Sequence, residues 1–550
     1  MAISTLQKAR AAYAAKLPPA LRSGACVKEN DGAPTSSVDD AEKIKELFPN
    51  NFGKPQITFT ESDQSGLNAP INAGVILSGG QAPGGHNVIA GLFDGLKSLH
   101  PESRLFGFLG GPGGLVDNKF IEITAEIVDE YRNTGGFDMI ASGRTKLEET
   151  EQFEQAKLNC EALNIKTLVV IGGDDSNTNA CLLAEYYAAT NAGIQVVGCP
   201  KTIDGDLKNE YIEASFGFDT ACRVYSELIG NIQRDANSAR KYWHFIKLMG
   251  RSASHITLEC GLQTHPNITL IGEEVLEKKQ TIDEIVEEIA EVVIKRSETA
   301  GDFGVVLIPE GLVEFIPEMK MLIAELNDIL AKESDAFSKL KGRSEELQFI
   351  NHHLSKEASY VFSSLPVTIQ IQLMLDRDPH GNVQVSLIET EKLLAEMVAM
   401  KLSELSVEGK YKGKFSPQTH FFGYEGRCAA PSNYDADYCY SLGYTAAAIA
   451  GTGKTGYMSS VQNTNKPADE WVCGGIPITM MMNIERRHGE DKPVIQKALV
   501  KLDGNPFIAL QKNRAKWAIE TDYVYPGPIQ YFGPTEVCDQ ITKTLECEKA

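Results

Sequence analysis

Short, continuous apolar runs alternate with longer stretches of helical periodicity through most of the chain. Residues 73–77 (Ala-Gly-Val-Ile-Leu) form one such run, and residues 85–99 carry the following helical pattern. Further runs lie at residues 104–109, 166–171, 194–198, 244–248, 267–271 and 304–308. Helical patterns start near residue 177 and cover 218–234. β-Branched runs without polar alternation, separated by helices, predict parallel strands buried on both faces. The fold class expected is α/β, built from doubly wound, Rossmann-like domains.

Outside this rhythm the pattern changes three times. Residues 1–17 read as a short amphipathic helix, followed by a polar segment at 28–40, so 1–70 reads as an N-terminal extension. Residues 318–406 are mostly helical and charged, which predicts a helical insertion. Residues 417–427 have little periodicity and read as a loop, before a strong helix over 432–450 that ends at Gly451. The expected organisation is therefore an extension (1–70), a larger α/β domain (71–240), a smaller one (241–317), the insertion (318–406) and a C-terminal part (407–550) that returns to the core.

At 550 residues the chain is too long for one hydrophobic core. Its formal charge of −21 argues against nucleic-acid or anionic-membrane partners, which need basic surface. A local basic cleft for a small anion stays compatible with that charge. The 11 cysteines form no Cys-x-x-Cys pair, so buried free thiols in a reducing compartment are expected rather than disulfides or a zinc site. No apolar run approaches the ~18 residues of a membrane span, and the charged N-terminus is not a signal peptide. The expected location is the cytoplasm.

In an open parallel sheet, ligands collect at the carboxyl ends of the strands, so the residues after each run are the candidates. The first is followed by Ser78-Gly-Gly-Gln-Ala-Pro-Gly-Gly85, where glycines let backbone amides approach a phosphate at a helix start; a tight turn is the plainer alternative. Gly172-Gly-Asp-Asp175 places two carboxylates beside a helix start, suited to Mg²⁺ or to simple helix capping. Pro200-Lys-Thr-Ile-Asp-Gly-Asp206 offers a cation for phosphate and a carboxylate able to take a hydroxyl proton; a surface turn with a weak ion pair is the alternative. Met249-Gly-Arg251, Pro309-Glu-Gly311, Tyr424-Glu-Gly-Arg427 and Lys241-Tyr242 add basic and polar groups suited to a sugar phosphate. Gly451-Thr-Gly-Lys-Thr-Gly456 matches the dinucleotide pattern by letter, but it follows a helix, so it reads as a helix cap and turn.

This ordered set of loops, spanning roughly residues 70 to 460, resembles the phosphofructokinase family. It looks most like the long, pyrophosphate-using subfamily, which has an N-terminal extension and helical insertions. ATP-using relatives carry Gly-Gly-Asp-Gly where this chain has Asp175, and lack the Lys found here at 201. The resemblance implies phosphoryl transfer from pyrophosphate to the C1 hydroxyl of fructose 6-phosphate, with Mg²⁺ on Asp174. It implies Asp204 as general base with Asp206 in support, and Gly80 on pyrophosphate. Lys201 and Asp175 would set the donor, with Lys201 stabilising the transferring group. Thr202 and Ile203 would line the substrate loop. Met249, Gly250, Arg251, Glu310, Tyr424, Glu425, Gly426 and Arg427 would bind the sugar phosphate, with Arg251 also counted as catalytic. Lys241 and Tyr242 would reach the site of a partner in a homodimer. An ATP-dependent phosphofructokinase and a non-catalytic regulatory subunit are the alternatives, separated by a donor swap and by Asp204→Ser.

Overall fold

The computed structural model describes residues 3–64, 66–375, 383, 387–487 and 490–528. It contains two compact units, one of Met1–Ala221 and Tyr424–Ala498, the other of Cys222–Gly423 and Leu499–Pro528. The change of unit falls inside the helix Phe218–Ala239, the same helix after which the sequence reading set a boundary at 240.

The first unit is organised by a nine-stranded sheet. Its strands are β1 (Val27–Pro34), β2 (Pro55–Glu61), β3 (Asn72–Leu77), β4 (Arg104–Phe108), β5 (Phe120–Ile123), β6 (Ile165–Gly172) and β7 (Gln195–Pro200), with β12 (Tyr457–Gln462) and β13 (Val472–Pro477) from the later segment. The order is β1-β2-β13-β12-β7-β6-β3-β4-β5. Neighbours from β12 to β4 pair in parallel, and the outer pairs are antiparallel. The parallel centre is built from the continuous apolar runs, which are buried on both faces as the pattern required. The N-terminal extension differs from expectation. Its polar segment forms β1 at the sheet edge, where an outward row of polar side chains costs little.

The second unit holds β8 (Trp243–Leu248), β9 (Ile268–Thr269), β10 (Gly304–Pro309) and β11 (Pro417–Phe422) in a parallel sheet of order β11-β8-β10-β9. The run at 267–271 thus shortens to two paired residues. The segment read as a loop from 417 begins as an edge strand, a position that imposes no apolar alternation. Trp243, Phe245, Val306 and Ile308 of this sheet share one core with Ile285, Ile289 and Val293 of the helix Ile282–Thr299. Leu322 and Leu326 of Pro317–Lys332 and Leu394 and Val398 of Thr390–Val407 belong to that same core. The charged helices after residue 318 are amphipathic cover for the sheet.

A two-stranded hairpin, β14 (Met482–Arg487) and β15 (Glu490–Ile495), completes the strands of the first unit. The helix Asn433–Thr452 runs two residues past its expected end and stops at Gly453, whose φ of +81° only glycine adopts without strain. The Gly-Thr-Gly-Lys-Thr-Gly run is therefore a helix end and turn. Every described cysteine is a free thiol, and no helix among the described residues is long and apolar enough to cross a membrane.

Candidate active site

Within the first unit, three loops meet at the carboxyl ends of the adjacent strands β3, β6 and β7. The sheet ladder continues past the strands: Ser78 N–H donates to Ile171 O at 2.8 Å, and Lys201 N–H to Gly172 O at 2.9 Å. The helix Asp174–Ala189 starts three residues earlier than its periodicity suggested, so both aspartates lie in its first turn. There the aligned peptide dipoles favour carboxylates. Ser176 Oγ donates to Ser78 Oγ at 2.8 Å, and Asn177 Nδ2 donates to Gly172 O at 2.6 Å, which locks the first and second loops together.

Lys201 is buried, and its ammonium donates to Gly80 O at 2.8 Å. Two guanidiniums face the same glycine. A Cβ on Gly80 would stand 2.8 Å from Arg427 Nη1 and 3.5 Å from Arg144 Nη2. A methyl there would displace the Arg427 guanidinium, so the bare backbone of glycine leaves that cradle open. Burial, then Arg427 and Arg144, push the Lys201 pKa down to about 8, against the pull of Asp204 and Asp174. The loop is thus a pocket of concentrated positive charge in a strongly acidic protein.

The residues after Lys201 supply carboxylates. Ile203 is fully buried and anchors the loop. Asp204 is half-buried, and its N–H donates to Thr202 Oγ1 at 3.0 Å. The same hydroxyl donates to Asp206 Oδ1 at 3.1 Å. Asp206 is buried; burial first and Asp204 second push its carboxyl up to about 6, while Lys497 opposes them. Lys497 Nζ lies 3.6 Å from Asp174 Oδ2, and Asp175, half-exposed, pairs with Lys146 at 3.7 Å. Among the described residues no cluster of three carboxylate, imidazole or thiol side chains forms a metal cage.

Tyr424–Arg427 forms a single helical turn in this unit. Tyr424 and Glu425 are exposed, Gly426 is buried, and Arg427 is directed at Gly80 rather than standing apart from the first loop. Cys428 Sγ lies 2.9 Å from Gln81 Oε1, which ties the turn to the glycine loop.

The second unit assembles its own set. Gly250 N–H donates to Glu310 Oε2 at 3.2 Å, and Glu310 N–H to Leu248 O at 2.9 Å, at the carboxyl ends of β8 and β10. Met249 and Glu310 are buried, and Arg251 is exposed. Lys241 and Tyr242 stand at the opposite end of β8. The six residues of that strand separate them from Met249 by about 20 Å. Within one chain these two groups do not meet.

Sequence reading missed Arg144, Lys146 and Lys497. Arg144 follows Gly143, which is bridged to Ser78 beside β3, and Gly79 N–H donates to Gly143 O at 2.9 Å. A basic residue after a glycine turn was the one local signal. Lys497 has none.

A family model described as phosphofructokinase matches residues 72–450. The pyrophosphate–fructose 6-phosphate 1-phosphotransferase of Porphyromonas gingivalis is 62% identical over 549 residues, covering 100% of both chains. The protein of the same name from Entamoeba histolytica is 53% identical, again over 100% of both. A crystal structure of a pyrophosphate-dependent phosphofructokinase from Marinobacter aquaeolei shares the fold with a TM-score of 0.54 at 16% identity, over 82% of this chain and 93% of that one.

Proposed function

The chain belongs to the phosphofructokinase family, and from that premise we propose that it transfers a phosphoryl group reversibly from pyrophosphate to the C1 hydroxyl of fructose 6-phosphate, giving fructose 1,6-bisphosphate and phosphate. The observation that carries this reading is the buried Lys201 ammonium, grouped with Arg427 and Arg144 around the bare backbone of Gly80. That pocket matches a compact, highly charged diphosphate. The relatives that match along the full chain bear the corresponding name.

The chemistry follows from charge and position. Asp204, held through its N–H by Thr202, accepts the proton of the C1 hydroxyl as that oxygen attacks the terminal phosphorus. The bridging P–O bond breaks, and its electrons leave on the departing phosphate. Lys201 and the guanidiniums stabilise the charge gathering there. Met249, Gly250, Arg251, Glu310, Tyr424, Glu425 and Gly426 are assigned to fructose 6-phosphate. Arg427 is assigned to phosphate recognition beside Gly80. Asp175, paired with Lys146, is assigned to repelling the longer chain of a nucleotide donor.

The donor set suits magnesium. Magnesium keeps most of its water, takes one or two protein carboxylates and shares phosphate oxygens, so Asp174 suffices without a cage. An ammonium already stands against that carboxylate. Magnesium, when bound, neutralises diphosphate charge. Lys241 and Tyr242, at the far end of β8 from Met249, are assigned to the sugar phosphate of a partner copy, which makes the working form a homodimer. The proposed location is the cytoplasm.

The test is one coupled assay with both donors. Formation of fructose 1,6-bisphosphate with pyrophosphate and none with ATP is expected. Turnover with ATP alone would overturn the donor assignment.

A further inference from the structure

Lys497 lies beyond residue 450, where the match to the family model ends, in the segment that follows the hairpin β14–β15. It is nonetheless fixed against the catalytic loops on two sides. Ile495 N–H donates to Thr178 Oγ1 at 3.3 Å, near the start of the helix that carries Asp174. Ala498 N–H donates to Asp206 O at 2.7 Å, in the loop that carries Asp204. Between these anchors the Lys497 ammonium faces Asp174 Oδ2 at 3.6 Å, with both side chains about three-quarters buried (29% and 26% exposed). At that distance the two are an ion pair beyond good hydrogen-bond length.

We propose that Lys497 is the resident counter-cation of Asp174, which a divalent cation displaces on binding, so that Lys497 sets the divalent-cation affinity of the free enzyme. The proposal rests on Asp174 being the magnesium residue of the reading above. Its logic is competition. Asp174 serves two cations, and the backbone anchors at 495 and 498 hold Lys497 beside it, where its charge also acts on Asp206. Lys497 is thus a positioning residue. It keeps Asp174 ion-paired while the site is free of metal and yields it when the metal–diphosphate complex arrives.

The experiment measures Mn²⁺ binding to the full-length, substrate-free protein by electron paramagnetic resonance. Lys497→Met and Lys497→Gln are expected to bind Mn²⁺ about fivefold tighter, the scale of a partly exposed ion pair. Lys497→Arg, which restores the charge, stays near the parent. In an Asp174→Asn background, Lys497→Met leaves Mn²⁺ affinity unchanged, because the contested carboxylate is gone. A merely structural lysine would lower affinity or leave it unmoved. Equal or weaker Mn²⁺ binding in both neutral variants overturns the proposal. So does the same increase in the Asp174→Asn background, or no Mn²⁺ binding to any of the proteins. Binding is read without substrate, so these results stand apart from failure of the donor assay, which would strike the functional reading instead.

Discussion

Replacing Lys201 by Met keeps most of the buried stem and removes only the charge, so it isolates what the ammonium does. In the free protein that charge sits among Arg427 and Arg144, which oppose it, and Asp204 and Asp174, which favour it. Its hydrogen bond to Gly80 O fixes its position beside the glycine loop, where the proposed diphosphate would lie. Losing that bond costs about 1 kcal/mol of stability, and relief of repulsion from the two guanidiniums offsets part of it, so the variant folds. The catalytic loss is larger. A unit charge about 4 Å from the phosphoryl group contributes about 4 kcal/mol at an effective dielectric near 20. That predicts a fall in kcat/KM for pyrophosphate of about 10³-fold. The pH profile provides a second reading. Burial and the guanidiniums disfavour the charged form, so the wild type loses the ammonium as pH rises through about 8. Its kcat/KM for pyrophosphate therefore declines above that pH, and the decline disappears in Lys201→Met. Both are read by coupling fructose 1,6-bisphosphate to NADH oxidation across a pH series. A loss below tenfold, or an alkaline decline that persists in the variant, would refute the assignment.

Three further outcomes are expected. Gly80→Ala places a methyl 2.8 Å from Arg427 Nη1, the movable end of a long side chain; the melting temperature stays near the parent while kcat/KM for pyrophosphate falls by about 10²-fold, and unchanged kinetics would mean that the diphosphate lies elsewhere. Asp175→Gly combined with Lys201→Gly loses pyrophosphate turnover and gains measurable ATP turnover in the two-donor assay, and retained pyrophosphate turnover would remove the basis of the donor assignment. Asp204→Asn and Lys241→Ala are each nearly inactive, yet unfolding and refolding them together as an equal mixture restores about a quarter of wild-type activity, because half of the dimers are hybrids with one intact site. No recovery in hybrids shown to form would place Lys241 in its own chain's site.

The strands of the two sheet centres were legible because burial on both faces imposes one composition. Residues 165–172 and 304–309 have no polar face to satisfy, and their β-branched content declares them. Edge strands carry no such constraint. β1 reads Val-Lys-Glu-Asn-Asp-Gly-Ala-Pro, a turn-like string whose pairing with Pro55–Glu61 comes from its neighbour and not from its own propensity. β12 and β13 are a different failure. They lie in a stretch rich in Gly, Ser and Asn, and they join the sheet through a partner strand more than 250 residues earlier. No local period encodes such a pairing.

The same division governs the chemistry. Gly80, Asp174, Lys201 and Asp204 stand out in the sequence as candidates because each directly follows a parallel strand, Asp174 in the first turn of the next helix, where chain topology alone delivers it to one end of the sheet. Arg144 and Lys497 reach those loops from segments that no strand end announces, and Arg427, which follows the edge strand β11, reaches Gly80 rather than standing with the sugar-phosphate residues alone. Yet these long side chains bring most of the positive charge. A backbone loop can present amides and short carboxylates, but a diphosphate needs cations on several sides at once, and no single loop of a few residues supplies them without crowding like charges side by side. Drawing the cations from separate segments spreads their repulsion through the fold: burial lowers the pKa of one lysine, and the guanidiniums approach it across bare glycine backbone. In a chain with a formal charge of −21, two of these cations are also fixed by groups other than the substrate. Gly80 O does this for Lys201, and the Ile495 and Ala498 backbone bonds do it for Lys497.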